Sequence, residues 1–190
     1  MTAATLIPSY TAGTWDIDPV HSDVSFTVRH MMVSKVRGRF GSFSGQIVTG
    51  EDITGSSVSA TIDATSIDTN NEQRDNHIRS ADFFAAAEHP LITFASTGIR
   101  FEDGEFLIDG ELSIRGVAKP VTLALDAPAF GPGPRGGMKS GFSATLEVDR
   151  HDFGVSYNGP IPGGGMALGD RVQITLDIEA DLQEPESEEA

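Results

Sequence analysis

Trp15-Asp16-Ile17-Asp18-Pro19-Val20-His21-Ser22-Asp23-Val24-Ser25-Phe26-Thr27-Val28-Arg29-His30 is the stretch that decides the fold. From Val24 to His30 it alternates strictly. Val24, Phe26 and Val28 fall on one face, and Ser25, Thr27 and Arg29 fall on the other. A period of two marks a half-buried strand, because successive side chains point to opposite sides of a pleated backbone. His30 has the parity of the apolar face, so an imidazole points where hydrocarbon is expected.

The same pattern recurs along the chain. Val36, Gly38 and Phe40 share a face, but Phe43, Gly45 and Ile47 have switched parity, which predicts a bulge near Gly41. Val58, Ala60 and Ile62 alternate with polar residues, and Leu91 to Phe101 reads as a further strand. Asp103-Gly104 is a tight hairpin signal ahead of Phe106, Ile108, Leu112 and Ile114. Gly116 suits a positive φ at the next turn, and Pro120 suits the first position of a strand. Val121 to Leu125, Phe142 to Val148 and Val172 to Ile178 complete about eight strands by this alternation. Gly131 to Gly137 and Gly154 to Gly169 are Gly/Pro-rich connections with no phosphate-loop pattern.

One segment lacks alternation. Residues 70–87 carry helix formers and charge, so a short helical insert is expected there. Asp68, Thr69 or Asn70 is placed to cap its start, and Ser80 to cap a second short turn. Many strands, no parallel crossovers and one apolar face per strand predict an all-β closed barrel or a sandwich around a single interior. Eight strands leave an interior that side chains fill or that holds one small ligand. The pattern leaves that choice open. The 11 Phe against 2 Tyr and 1 Trp would suit either a core or an apolar cavity wall.

Composition narrows the function classes. There is no cysteine, hence neither a disulfide framework nor a thiolate metal site. The first ten residues have no basic and apolar leader pattern, and no apolar run is long enough to span a bilayer. A cytoplasmic protein is therefore expected, or an extracytoplasmic one if a leader has been removed. The formal net charge of -15 argues against nonspecific nucleic-acid binding and against anionic membrane surfaces. Glu179, Asp181, Glu184, Glu186, Glu188 and Glu189 make an acidic C-terminus, so residues 183–190 are expected to be a disordered tail. Residues 1–12 are expected to be a flexible N-terminus, leaving 13–182 as a single barrel domain. Val24 to Gly50 holds no Asp or Glu, and Lys35, Arg37 and Arg39 form an outward basic stripe whose partner, if any, the pattern does not name.

The motifs together carry a resemblance. They are Trp15-x-Ile17-Asp18-x-x-His21-Ser22, Phe26-x-Val28-x-His30 and Val36-Arg37-Gly38-Arg39-Phe40. Next comes Arg74-Asp75-Asn76-His77-Ile78-Arg79-Ser80-Ala81-Asp82-Phe83-Phe84. Gly110-x-Leu112-x-Ile114-x-Gly116-Val117-x-Lys119-Pro120-Val121 and Arg150-x-Asp152-Phe153-Gly154 follow. In this order, from Trp15 to Ile178, the chain resembles the YceI-like family of lipocalin-like, polyisoprenoid-binding proteins. The resemblance implies an extended eight-stranded antiparallel barrel with the helical insert near one opening. It also implies a polyprenyl lipid or isoprenoid quinone threaded through the lumen, with no cofactor required.

On that reading the expected ligand-binding walls are Phe26, Val28, Phe40, Phe43, Ile62, Phe94, Leu112, Phe142, Leu146 and Ile174, with Phe83 and Phe84 at a lid. His30, or the group Arg74, Asp75 and His77, is the candidate polar contact for a head group. Against that stands a structural role: a backbone-satisfied His30, and Arg74, Asp75 and Arg79 pinning the insert to the barrel. A neutral head fits the acidic chain better than a pyrophosphate. Two other classes stay open. One is a lipid-linked isomerase or cyclase using inward His and Asp, although no catalytic or metal motif is present. The other is a stress-response scaffold that uses the acidic tail to bind a protein. Pairing with a second copy as a homodimer also stays open.

Overall fold

A computed structural model describes residues 7–134 and 136–183. Twelve strand segments join end to end into the eight staves of a closed antiparallel barrel. β1 (Gly13–Ile17) and β2 (Asp23–His30) form one broken stave, and β3 (Ser34–Phe40) and β4 (Phe43–Thr49) form the next. They run antiparallel, with Trp15 opposite Ile47 in the first half and Ser25 opposite Arg39 in the second. The first break follows from Asp18-Pro19. The Asp18 carboxylate accepts from the Val20 N–H at 2.9 Å, closing an Asx turn, and Pro19 has no N–H for a ladder.

The third stave is β5 (Ser57–Asp63) followed by β6 (Ile67–Asp68), separated by a single 3-10 turn that Asp63 caps. β7 (Leu91–Glu102), β8 (Glu105–Ile114) and β9 (Val117–Leu125) are a meander. Its turns, Asp103-Gly104 and Arg115-Gly116, have positive φ at both residues, the twist that suits two-residue hairpins. β10 (Ala129–Pro132) extends the β9 stave alongside β11 (Met138–Asp149). β12 (Leu168–Leu182) pairs with β11 on one edge and with β2 and then β1 on the other, which closes the barrel.

The expected parity change at Gly41 is present, but a two-residue break in the stave produces it, not a bulge in a continuous ladder. Gly41 and Ser42 leave the ladder and bond instead to Ser66 and Asp63 across the matching break in the third stave. Register shifts occur at sites the alternation did not single out, between Ser96 and Gly98 in β7 and between Leu168 and Val172 in β12. Pro120 is the fourth residue of β9, not its first. It is tolerated there because β9 meets β11 only at Ala124 and Leu125, so its outer edge is otherwise unladdered.

The helical insert is shorter than the 70–87 expected. α1 spans Glu72–Arg79, and the expected second short turn follows it, with the Asp82 N–H bonded to the Ser80 hydroxyl. Its cap is Asn71, whose side chain accepts from the Arg74 N–H at 2.9 Å. Asp68 caps the preceding turn at Asn70, and Ser80 closes the helix C-terminus. In the segment expected to be flexible, Ile7 is buried and the Tyr10 hydroxyl donates to the Gly50 carbonyl at 2.8 Å. Gln183 donates to Asp16. Residues 1–6 and the acidic tail from 184 onward lie outside the described residues.

The staves define two ends. The upper end gathers the β2–β3 turn, α1, the β8–β9 turn and the 154–167 connection, since Arg115 donates to the carbonyls of Phe83 and Gly154. The lower end is packed shut. Tyr10 and Trp15 each meet the Phe130 ring edge-on, at 5.3 and 5.4 Å, and the wholly buried Trp15 indole donates to Thr49 at 2.8 Å.

Candidate functional site

The barrel encloses an apolar cavity of about 440 Å³ along its axis. Inward residues alternate with outward ones on every stave, so the cavity wall is the period-two apolar face of the sequence. Phe26, Val28 and His30 come from β2, and Phe40 and Phe43 from either side of the second break. Ile62, Phe94 and Leu112 come from β5, β7 and β8, and Phe142, Leu146 and Ile174 from β11 and β12. Phe83, Phe84 and His77 reach in from the insert. The structure thus brings every sequence-proposed wall residue, with His30, His77 and Arg74, to one lumen, while Asp75 is bonded to Thr69 and does not line it.

Two glycines shape that wall. A Cβ on Gly38 would sit 2.5 Å from Phe26 Cζ, and one on Gly110 would sit 2.4 Å from Phe94 Cζ. Each ring lies flat across a glycine of the neighbouring stave, which keeps the lumen open beside it.

Polar groups gather at the upper end. His30 is half-buried at the end of β2. Its carbonyl is taken by the Val33 N–H and the Ser34 hydroxyl, while its ring forms no hydrogen bond among the described residues. The backbone-satisfied histidine that a structural role requires is therefore not what the geometry contains. His77 bonds to Asp82 at 2.8 Å and sits edge-on to Phe83 and Tyr157, with ring centroids at 5.1 and 4.9 Å. These three rings form a cap over the upper end.

The insert's other polar residues hold it in place. Asp75 is buried and accepts from the Thr69 N–H at 3.0 Å and the Thr69 hydroxyl at 2.5 Å. Arg74 donates to the Thr69 hydroxyl and carbonyl, and Arg79 donates to the carbonyls of Thr65 and Ile67. Helix and stave are stitched together through these side chains. Arg74 also borders the lumen.

Arg150 carries a role that sequence reasoning missed. It is buried, and it donates to the carbonyls of Gly169, Val155 and Tyr157 at 2.9, 2.7 and 2.9 Å. Its Nη2 has no hydrogen-bond partner among the described residues, and burial pushes its pKa down from the usual guanidinium value. The guanidinium gathers the long 154–167 connection onto the barrel rim. Its sequence signal was its place at the head of the Arg150-x-Asp152-Phe153-Gly154 motif, which gave no hint of these carbonyl partners.

A second polar cluster lies outside the lumen. His21 and Asp18 are 2.7 Å apart, Glu179 is near both, and the Lys139 ammonium lies 2.7 Å from Glu179 and 2.8 Å from Asp181. The hydrogen bond from His21 is the main reason the Asp18 carboxyl falls to about 2. The same bond raises the His21 pKa, and Asp181 and Glu179 raise that of Lys139. Asp18, His21 and Glu179 have the donor types and closeness of a metal site. A lysine already supplies the positive charge there, so the cluster ties β1, β11 and β12 together as an ion-pair network.

Three comparisons bear on this site. The model of the YceI-like domain family matches residues 15–180. A UPF0312 protein of Staphylococcus epidermidis is 34% identical over 168 residues, covering 87% of this chain and 95% of that protein. A Campylobacter jejuni YceI crystal structure superposes with a TM-score of 0.70 at 29% identity, covering 94% of this chain and 100% of that one. A polyisoprenoid-binding domain from Saccharophagus degradans shares the fold, with a TM-score of 0.63 at 14% identity, covering 91% of this chain and 100% of that one. Among the described residues no helix is long and apolar enough to cross a membrane.

Proposed function

The chain belongs to the YceI-like family, and from that premise we propose that it binds, carries or stores a long isoprenoid lipid in its lumen. One observation carries the reading: an apolar cavity runs inside a closed barrel, plugged below and capped above by the His77, Phe83 and Tyr157 rings. The Saccharophagus degradans domain, described as polyisoprenoid-binding, is built on the same barrel.

The energetics suit such a ligand. An isoprene unit has about five carbons, so its burial is worth roughly 3–4 kcal/mol at ~0.8 kcal/mol per methylene. A few units provide strong affinity even after the chain's ordering cost is subtracted. The head group therefore sets direction more than affinity. His30, with an unbonded ring at the upper rim, is the proposed head contact, and the quinone or alcohol class is the proposed head. At low salt, where it is poorly screened, long-range repulsion from a chain of net charge -15 disfavours a pyrophosphate. The function is binding without turnover and without a resident cofactor.

Mass spectrometry of the organic extract of purified protein tests the reading. A prenyl lipid in near-stoichiometric amount is the expected result. An extract that carries only fatty acid or phospholipid, from protein that also ignores added menaquinone and polyprenol, would refute it. Retention of menaquinone against polyprenyl pyrophosphate at low salt tests the neutral head, and tighter pyrophosphate binding overturns that part.

A further inference from the structure

The β2–β3 turn is built unlike the other turns of the barrel. Its residues are Met31, Met32 and Val33, which are 41%, 68% and 88% exposed. Other exposed large apolar side chains, such as Val20, Val48 and Phe101, come one at a time along the chain. Met31 and Met32 both have positive φ, at 51° and 62°, where a side chain costs energy that glycine or asparagine would avoid. The turn thus combines backbone strain with apolar exposure.

Its flanks are equally uneconomical for folding alone. Arg29 faces Lys35 directly across the ladder, and like charges in that position repel. Arg37 lies two residues further along the same outer face. None of the three has a carboxylate within ion-pairing distance among the described residues, whereas Arg39 next along is paired with Asp68. An apolar tip ringed by unpaired cations is the arrangement of an interfacial membrane contact. The apolar residues enter the headgroup boundary, and the cations meet anionic lipid heads.

The tip is also joined to the upper rim of the cavity. The Met31 N–H donates to the Ala167 carbonyl at 2.8 Å, and His30 pairs with Leu168. His30, Ala167 and Leu168 all line the lumen. Met166, beside Ala167, is 47% exposed and adds to the same apolar edge.

We propose that the β2–β3 turn docks the barrel on an anionic bilayer surface, with the upper rim facing the lipid, so that a prenyl chain passes between bilayer and lumen there. The net charge of -15 does not prevent this. The repulsion is spread over the whole body, and beyond about 8 Å it is screened at physiological salt, whereas the basic flank acts at contact. The role of the contact in lipid exchange rests on the lipid-binding reading above, but the contact itself does not.

Vesicle co-sedimentation of the full chain tests the proposal. The vesicles are phosphatidylcholine alone, or phosphatidylcholine and phosphatidylglycerol in equal parts. The wild type is expected to pellet with the mixed vesicles. Met32→Asp with Val33→Asp is expected to weaken that partitioning about tenfold or more. Arg29→Gln, Lys35→Gln and Arg37→Gln together are expected to weaken it on mixed vesicles and to leave phosphatidylcholine binding little changed. These side chains are exposed, so the thermal midpoints of the variants should match the wild type.

A wild type that pellets with neither vesicle, or variants that pellet as well as the wild type, overturns the proposal. So does a tip variant that changes only the oligomeric mass in solution, because the turn would then bind a second copy of the chain. The two readings fail separately. A protein loaded with prenyl lipid that ignores vesicles defeats the docking alone, and a vesicle-binding protein with no prenyl lipid defeats the function alone.

Discussion

Asp75→Ala should loosen the helical insert without unfolding the barrel. Asp75 is buried, and its carboxylate accepts from both the Thr69 N–H and the Thr69 hydroxyl. Hydrogen bonds to a charged partner contribute roughly 1.5–3 kcal/mol each, so losing two costs about 3 kcal/mol or more. At about 1.4 kcal/mol per factor of ten, that is roughly a hundredfold shift toward the open insert. The shift should stay local, because Arg74 and Arg79 still grip the stave through backbone carbonyls. The barrel ladders do not include this carboxylate.

Native-state hydrogen exchange measures the effect directly. The amides of Asp75, Phe84 and Ala86, which bond to Asn71, Ile78 and Arg79, should exchange about a hundredfold faster. Amides in the β11–β12 ladder should keep their wild-type rates. Asp75→Asn, which retains one acceptor oxygen, should fall between. If the insert is the lid of a lipid site, transfer of bound prenyl lipid to acceptor vesicles should speed up in step. Unchanged insert exchange, or equal acceleration throughout the barrel, would refute the reasoning that Asp75 is the latch.

Three further outcomes follow from the same geometry. Gly38→Ala or Gly110→Ala places a methyl 2.5 or 2.4 Å from a phenylalanine ring, so each should cost about 1–3 kcal/mol in urea denaturation, with that ring pushed into the lumen. A wild-type midpoint would show that the rings have room to move. Leu112→Asp puts a carboxylate in the apolar wall and should abolish retention of prenyl lipid in the extract; full occupancy would remove Leu112 from the lumen. His21 has a raised pKa, so its bond to Asp18 stabilises fully below pH 6.5 and fades as the pH rises above it. Asp18 is held down to about 2, so its contribution is present above about 3.8 and is lost as the pH falls toward 2. Asp18→Asn should therefore flatten both limbs of the stability profile, and an unaltered profile would mean that the pair adds nothing.

Parity placed the lumen wall. Val28, Phe40, Leu112, Leu146 and Ile174 point inward because an antiparallel stave repeats every two residues, and that rule is written locally in the chain. The same rule placed His30 inside and the Lys35, Arg37 and Arg39 stripe outside. Near Gly41 the parity change was legible but its cause was not. A bulge and a broken stave leave the same alternation, and only the partner strand distinguishes them.

Other features depend on distance in space and left little local signal. Arg150 gathers carbonyls from Val155, Tyr157 and Gly169, and nothing in its immediate neighbours announces those contacts. Ile7 and Tyr10 fall in the stretch expected to be flexible, yet Ile7 is buried and Tyr10 is held at the lower end by Gly50, Ser56 and Phe130, which come round the barrel to meet it.

What the sequence by itself determined is which face of each stave is apolar, since that follows from alternation along one strand. The tertiary structure alone decided whether the interior is filled or open. A cavity is the volume left over when all eight faces meet, and it depends on details such as the Phe26 ring lying across Gly38. It also decided that the strained Met31-Met32-Val33 turn stands beside the rim of that cavity, because the Ala167 carbonyl that joins them is far away in sequence and adjacent only once the barrel closes.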